Sequence, residues 1–530
     1  MAPSSGKSQR AWRSNCPGCG APLEFRSAAS THAVCNYCAT TVVRDGESLK
    51  SLGKLSALFD DYSPLQLGVT GQFQSQAFTV IGRLQYAWKE GLWNEWYCWF
   101  DNVVDSRQGN ATSGEVSGQA LQTTGAWLSE DNGQFVWMAP VSAGADLPTY
   151  ESLQLNQQRV IAGRSFEVAA ITEAHLASGQ GELPKMVPLQ QPFNIVELRN
   201  SEGLILSLDY SDLKSPSAYL GSAVKLEALK LKGLRDNSQA TIKGARQFAC
   251  PHCGANVSLN LEKTQSLTCA SCNSLIDTSQ GVGQEVVSAL QNEPIQPTLA
   301  LGTTGKLKGT DWQLVGYVSM IGKALSAPDE TFGWEEYLMF NQTEGFAFLA
   351  DTQEGWSISR PLSGSGKVSG NGQNATYLGT MYRLKESYAA EVNFVAGEFY
   401  WQVKRGATAQ VSEFVSKATT LVREQTNQEV TWSRSNPVDS AEVAQAFAPN
   451  SAAVLRPDIT PVSSSSISLK TIIVLAVIII IVVLMLSRCS QSDCDPSFQN
   501  CATSSSSTGS VARGWGGSYG GGSSSGGGHK

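Results

Sequence analysis

Cys16-Pro17-Gly18-Cys19 and Cys35-Asn36-Tyr37-Cys38 stand fifteen residues apart, and Cys250-Pro251-His252-Cys253 and Cys269-Ala270-Ser271-Cys272 repeat the arrangement 234 positions later. Each quartet supplies four thiolates as two Cys-x2-Cys knuckles, the ligand pattern of a tetrahedral zinc site. A knuckle places two sulfurs on a tight turn, so two knuckles on facing hairpins close around one metal. The expected ligands are Cys16, Cys19, Cys35 and Cys38 for one zinc and Cys250, Cys253, Cys269 and Cys272 for a second. Zinc held by four thiolates has no open position for water or substrate, so these centres read as architectural. A disulfide framework or a set of buried free thiols is the competing reading, and the recurrence of Cys-Pro-x-Cys-Gly-Ala in both quartets favours zinc. His32 and His252 lie close by and read as bystanders, because each site already has four cysteines.

Working outward from the cysteines, the whole soluble part reads as a duplication. Leu67-Gly68-Val69-Thr70-Gly71 realigns with Leu301-Gly302-Thr303-Thr304-Gly305 at the same offset. Phe78-Thr79-Val80-Ile81-Gly82-Arg83 answers Trp312-Gln313-Leu314-Val315-Gly316-Tyr317, and Trp93-Asn94-Glu95-Trp96-Tyr97-Cys98-Trp99 answers Trp334-Glu335-Glu336-Tyr337-Leu338-Met339-Phe340. Gly125 to Glu130 corresponds to Phe346 to Asp351, with an offset that drifts as loop insertions require. The repeated unit is a ribbon followed by a globular domain of roughly 150 residues, within the usual domain size range.

The globular units read as strands. The runs at 73–86 and 311–320 are rich in β-formers and partly alternate apolar with polar residues, and turn signals such as Asn132-Gly133 punctuate them. Trp96, Trp99, Tyr337 and Phe340 fall in a stretch where large aromatics pack well on a pleated face. The fold class expected is mainly β: two small zinc ribbons, two antiparallel β-domains of barrel or sandwich type, and one C-terminal transmembrane helix. The expected boundaries are zinc ribbon 1 at 1–45, β-domain 1 at 60–215, zinc ribbon 2 at 245–280 and β-domain 2 at 295–435. A linker at 436–466, a transmembrane helix at 467–487 and a disordered Gly/Ser-rich tail at 488–530 follow, with a short helix possible over 439–448.

These residues carry a resemblance. Leu-Gly-x-x-Gly, then a hydrophobic strand ending in Ile81-Gly82 or Val315-Gly316, then Trp93-Asn94-Glu95-Trp96 or Trp334-Glu335-Glu336-Tyr337, is similar to the bacterial family called domain of unknown function 4178. Gly181-Glu182-Leu183-Pro184 and Gly397-Glu398-Phe399-Tyr400-Trp401 resemble that family's Gly-Glu-x-Pro-Trp block, although the first copy lacks the Trp and the second has Tyr400 in place of the Pro. The resemblance covers roughly 60–200 and 295–435, the ribbons being additional. It implies an accessory role at the inner membrane, since members tend to be encoded near phage-shock-type membrane-stress proteins and aminopropyltransferase-like enzymes. It transfers no catalytic residue.

The chain has 530 residues, 16% of them charged, and a formal net charge of -7. An acidic balance argues against nucleic acid as a partner; Lys7, Arg10 and Arg13 before the first ribbon read as a solubilising group. Residues 1–15 are polar and lack the apolar stretch of a secretory signal. Residues 471–486 read TIIVLAVIIIIVVLML, and Ile467 and Leu469 extend the run toward the ~17 residues a membrane span needs. Lys470 and Arg488 flank it evenly, so the positive-inside rule hardly orients it. Eight reduced thiolates fit the cytosol. The expectation is therefore a bacterial single-pass inner-membrane protein with residues 1–466 cytoplasmic and the tail outside.

An enzyme needs a nucleophile with a base, a carboxylate pair or an open metal site. The four histidines are His32, His175, His252 and His529, and His175 alone lies within a β-domain, where it reads as a surface residue. Glu95 and Glu336 occupy equivalent positions among aromatics and are the candidate functional carboxylates, although the favoured reading is that each bonds a backbone amide or an Arg and fixes the sheet. Cys98 reads as a small buried hydrophobe. The glycine-rich stretch at 364–372 has Val368 after Lys367 where a phosphate loop needs a hydroxyl residue, so it reads as a hairpin loop. In the tail, Cys494 and Cys501 could close a small loop and Cys489 sits at the membrane edge. The function expected is a non-enzymatic, membrane-anchored scaffold or sensor that binds protein partners, envelope-stress proteins among them, with no small-molecule substrate identified. Ligand binding or catalysis at Glu95 and Glu336, and nucleic-acid binding by the ribbons, are the alternatives.

Overall fold

The computed structural model describes residues 12–27, 30–45, 48–55, 58, 63–89, 91–100, 125–141, 147–185, 191–235, 246–261, 264–278, 288–289, 291, 295–325, 329–448 and 454. The expected transmembrane helix at 467–487 and the tail at 488–530, with Cys489, Cys494, Cys501 and His529, lie outside them. No helix among the described residues is long and apolar enough to cross a membrane.

Each globular unit is a closed eight-stranded antiparallel barrel, which settles the choice between barrel and sandwich. The first is built from β1 (Gln76–Trp88), β2 (Gly91–Phe100), β3 (Gly125–Asp131), β4 (Gln134–Pro140), β5 (Arg164–Leu183), β6 (Phe193–Arg199), β7 (Leu204–Asp209) and β8 (Ser217–Ala223). Around the barrel the order is β1-β2-β3-β4-β8-β7-β6-β5, and pairing of β5 with β1 closes the ring. The second repeats it with β9 (Thr310–Ala324), β10 (Thr331–Asn341), β11 (Gly345–Thr352), β12 (Gly355–Pro361), β13 (Thr380–Phe399), β14 (Thr408–Ser416), β15 (Thr419–Gln425) and β16 (Val430–Val438), closed by β13 on β9. Closure leaves the barrel wall without a free edge. β-Bulges between Val80 and Gly82 and between Leu314 and Gly316 bend the two equivalent strands at the same step.

The domains reach further than their expected C-terminal bounds. β8 carries the first past 215, and β16 with helix α1 (Ser440–Phe447) carries the second past 435. Asp439 caps α1 by accepting from the Ala441 amide at 2.7 Å, and Val443, Ala444 and Phe447 pack with Trp312, Tyr337 and Trp356. Residues 436–448, expected as linker, thus belong to the second folded domain, and the short helix stands where the sequence suggested it. The glycine-rich stretch forms a two-rung hairpin, Lys367–Val368 on Asn374–Tyr377.

The strands β5 and β13 are each 20 residues long and join ribbon to barrel. His32–Val34 of the first ribbon pairs with Gly181, Glu182 and Leu183 at the end of β5, and Ser266–Thr268 of the second pairs with Glu398 and Phe399 at the end of β13. The ribbon hairpin therefore prolongs the barrel sheet. The two barrels also meet directly: Arg423 Nη2 donates to Asn156 Oδ1 at 2.8 Å and pairs with Glu167 at 3.5 Å. The turn after β6 meets the second domain at the Ser365 amide, which donates to the Asn200 carbonyl at 3.0 Å.

Candidate functional site

The four knuckles share one backbone pattern. The amides of Cys16, Cys35, Cys250 and Cys269 donate to the carbonyls of Ala21, Thr40, Ala255 and Ser274, and Gly20, Ala39, Gly254 and Asn273 donate back to the four cysteine carbonyls. Those last four residues have φ between 56° and 75°, the left-handed turn that brings the second cysteine of each knuckle alongside the first. All eight cysteines are free of disulfides. Within each quartet the four sulfurs lie within 4.8 Å of one another. The sulfurs of Cys16 and Cys38, and of Cys19 and Cys35, are 3.7 Å apart; those of Cys250 and Cys272, and of Cys253 and Cys269, are 3.8 Å apart. A metal tetrahedron with arms of ~2.3 Å has edges of ~3.8 Å, so the quartets match that geometry. The Thr40 hydroxyl beside Cys38 and the Ser274 hydroxyl beside Cys272 hold these thiols down at about 6, whereas in the same quartets Cys19 is pushed up, against the Ala21 amide, by the Cys38 thiol and Cys269 is pushed up by burial. His32 bonds Thr31 Oγ1 through Nδ1, and neither it nor His252 belongs to a quartet.

The Gly-Glu blocks clamp each ribbon to its barrel. Glu398 accepts from the amides of Asn260 (2.9 and 3.0 Å) and Leu261 (2.9 Å) and from Thr264 Oγ1 (2.9 Å). Glu182 does the same for the first ribbon, accepting from the Ser27 amide at 3.0 Å; its burial raises the carboxyl, and the Ser27 and Arg26 amides oppose that. The preceding glycines make room. Gly181 is the register partner of Gly82, and Gly397 of Gly316. A Cβ at Gly181 would stand 2.2 Å from the Ile81 carbonyl oxygen, and one at Gly397 would stand 2.3 Å from that of Val315. Sequence reading picked out this block but missed its role, because Glu182 stands 155 residues from Ser27 in the chain and Glu398 stands 137 from Leu261.

Glu95 and Glu336 both point into their barrels. Each accepts from the indole of the tryptophan two residues earlier: Trp93 Nε1 to Glu95 Oε1 at 3.1 Å and Trp334 Nε1 to Glu336 Oε1 at 2.6 Å. For Glu95 the donors among the described residues are an indole and a hydroxyl, not the expected backbone amide or Arg. Ser129 Oγ adds a bond to Glu95 Oε1 at 2.9 Å, and Ala350 replaces that serine opposite Glu336. Burial pushes the Glu95 carboxyl up to about 7, against the bonds from Ser129 and Trp93.

The two interiors differ. The first holds a cavity of about 70 Å³, measured as space for the centre of a water molecule, lined by residues including Tyr86, Trp93, Glu95, Trp127, Asp209 and Tyr219. Lys185 lines it as well, 3.5 Å from Asp209. Sequence reading missed Asp209 and Lys185, which come from strand ends remote from Glu95 in the chain. In the second barrel Tyr388 is fully buried, stands edge-on to Trp334 with centroids 5.6 Å apart, and donates to Glu413 at 2.9 Å. Tyr388 lies opposite Val411 in the register where Thr172 lies opposite Ile195 in the first barrel. Where the second barrel carries a tyrosine ring, the first carries a threonine.

On the outward face of the first barrel, Arg83 donates to Asn94 Oδ1 at 2.7 Å, and Asn94 and Trp96 donate to Glu130 Oε2 at 3.1 and 2.8 Å. This satisfied network is buried beneath covering loops and is structural. Cys98 is fully buried, as expected, and His175 is exposed on β5.

Residues 66–226 and 300–440 match the family model described as domain of unknown function (DUF4178). No curated protein and no solved structure matches the chain.

Proposed function

The chain belongs to the DUF4178 family, in two copies, and from that premise we propose that it is a membrane-anchored scaffold or sensor whose paired barrels bind protein partners. The observation that carries this reading is the closed thiolate quartet, fastened to its barrel through Glu182 or Glu398. Zinc suits the donor set. Cys16, Cys19, Cys35 and Cys38 would hold one ion, and Cys250, Cys253, Cys269 and Cys272 the other. Four sulfurs leave no position for a reacting water, so the ion supplies shape, holding a ribbon too small to fold on its own core. The protein is accordingly read as non-enzymatic.

Residues 467–487 act in this reading as a single membrane helix, supported by the uninterrupted apolar run at 472–486 within them. The folded part then faces the bacterial cytoplasm, where thiolates stay reduced, with the tail outside. Two similar barrels on one chain favour a repeated or dimeric partner by effective concentration, and envelope-stress proteins are the class that the family's gene neighbourhoods suggest.

The test is covalent capture of neighbours by the full-length protein in native membranes. Specific enrichment of one protein, lost in the Cys16→Ser/Cys250→Ser variant, supports the scaffold; a neighbour list identical to that of an unrelated single-pass protein refutes it. Zinc content of the purified protein should be close to two ions per chain, and a fully folded metal-free chain would overturn the metal assignment.

A further inference from the structure

We propose that the interior of the first barrel is a binding site for a small primary alkylammonium, with Glu95 as the counter-ion and the aromatic wall receiving the alkyl body. Eight strands enclose an interior just wide enough for side chains or one small ligand. Here the side chains do not fill it, since Tyr86, Trp93, Trp127, Phe193 and Tyr219 surround a space that reaches both Glu95 and Asp209. The space exceeds the ~10–15 Å³ needed for one water by several times.

The charges facing that space select the ligand. Asp209 has its own cation in Lys185, which also donates to Ser217 at 3.0 Å. Glu197, nearby on β6, is paired with Arg199. Glu95 lines the cavity and forms no ion pair among the described residues, and both of its hydrogen bonds fall on Oε1, leaving Oε2 as its open acceptor. One carboxylate with no cation, in an aromatic chamber, suits a monocation, because aromatic faces attract cations and a desolvated carboxylate needs one. A primary ammonium further supplies N–H donors for Oε2 and for neighbouring oxygens such as Ser207 Oγ.

The second barrel is an internal control. It retains the tryptophan–glutamate pair as Trp334 and Glu336, but Glu336 is only 2% exposed and Tyr388 stands inside beside Trp334. The duplication thus gives one open barrel and one filled barrel on the same framework.

The test is saturation-transfer NMR and calorimetric titration of the full-length protein with n-butylammonium, using 1-butanol as the uncharged comparison. Wild type should bind butylammonium at least tenfold more tightly than butanol. Glu95→Gln should remove that preference, and Thr172→Tyr, which places in the first barrel the ring the second already carries, should abolish both titrations. Glu336→Gln should change neither. Equal binding of the two probes, absence of butylammonium binding, or binding unaffected by Thr172→Tyr each overturns the proposal. Zinc content checks folding, and if Glu95→Gln does not fold, the probe comparison and Thr172→Tyr still decide. Scaffold function is read by neighbour capture, so it can fail or hold independently.

Discussion

Removing the Glu398 carboxylate should loosen the second ribbon from its barrel while leaving the barrel intact. In Glu398→Ala the Asn260 and Leu261 amides and the Thr264 hydroxyl lose their shared acceptor, and the Leu261 amide loses it at a buried position. The Thr264 hydroxyl keeps the Leu261 carbonyl at 2.8 Å, so the orphaned donors are the two amides and Asn260 Nδ2. At about 1 kcal/mol for each of these three, the docked ribbon is destabilised by about 3 kcal/mol, with water recovering part at the more exposed groups. Since ~1.4 kcal/mol is a factor of ten, hydrogen-exchange protection across 256–277 should fall about 100-fold. Glu398→Gln keeps one oxygen acceptor and loses the charge, so its effect should be nearer ~1 kcal/mol, about fivefold. The assay is exchange read by mass spectrometry on zinc-loaded protein, with peptides from β14 and β15 as the internal reference. Protection within threefold of wild type in the alanine variant would refute the clamp. A uniform loss that includes β14 and β15 would show that the carboxylate stabilises the whole domain instead.

Three further outcomes follow from the same geometry. Gly397→Ala sets a Cβ 2.3 Å from the Val315 carbonyl oxygen at φ 87°, whereas Gly302→Ala at φ 85° meets nothing within 4 Å; the first should lower stability by more than ~3 kcal/mol and the second by ~1–2 kcal/mol, as read from denaturation midpoints. Glu413 is fully buried and its carboxyl is pushed up from 4.5 to about 7 by burial, against Lys385 and the Tyr388 hydroxyl. A raised carboxyl makes the folded state bind the extra proton, so this group's contribution should decline as pH rises from 4.5 to 7 and then level off, by at most about 3 kcal/mol. Glu413→Gln should flatten that slope, and an unchanged slope would count against the assignment. Chelation of zinc should open residues 12–55 and 246–278 to protease before either barrel, and simultaneous digestion of ribbons and barrels would contradict a purely local role for the metal.

Much of this was legible from spacing. Paired knuckles, the Leu-Gly-x-x-Gly step and the Trp-x-Glu block are local signals, and each returns at the expected place in both copies: Gly68 and Gly302 take positive φ, and their amides reach the Val80 and Leu314 carbonyls at 2.8 and 2.7 Å. Barrel closure was not legible, because the pairing of Gly82 with Gly181 and of Gly316 with Gly397 is set by registers of strands far apart in the chain. Periodicity reports which faces are apolar and is silent on whether a sheet meets its own edge. The linker reading failed at 436–448 because an Ala- and Ser-rich segment still carries Val443 and Phe447 at helical spacing, and the barrel supplies the surface they cover. At one matched register position the two barrels carry Thr172 and Tyr388, neither of which belongs to a repeated motif.

The long strands β5 and β13 have a kinetic consequence. Each must find the first strand of its own barrel across most of the domain's length, 99 residues from Gly82 to Gly181 in the first and 81 from Gly316 to Gly397 in the second. Contacts of such sequence separation are what make β-rich chains fold slowly. The ribbon precedes its barrel in the chain, so it emerges first from the ribosome, and once metallated it presents a formed edge at His32–Val34 or Ser266–Thr268. That edge pairs with the same end of β5 or β13 that closes the ring, so a loaded ribbon is a template for the slowest step. Refolding should therefore be faster with zinc present than with zinc added after the barrels have formed, and equal rates in the two orders of addition would dismiss the template.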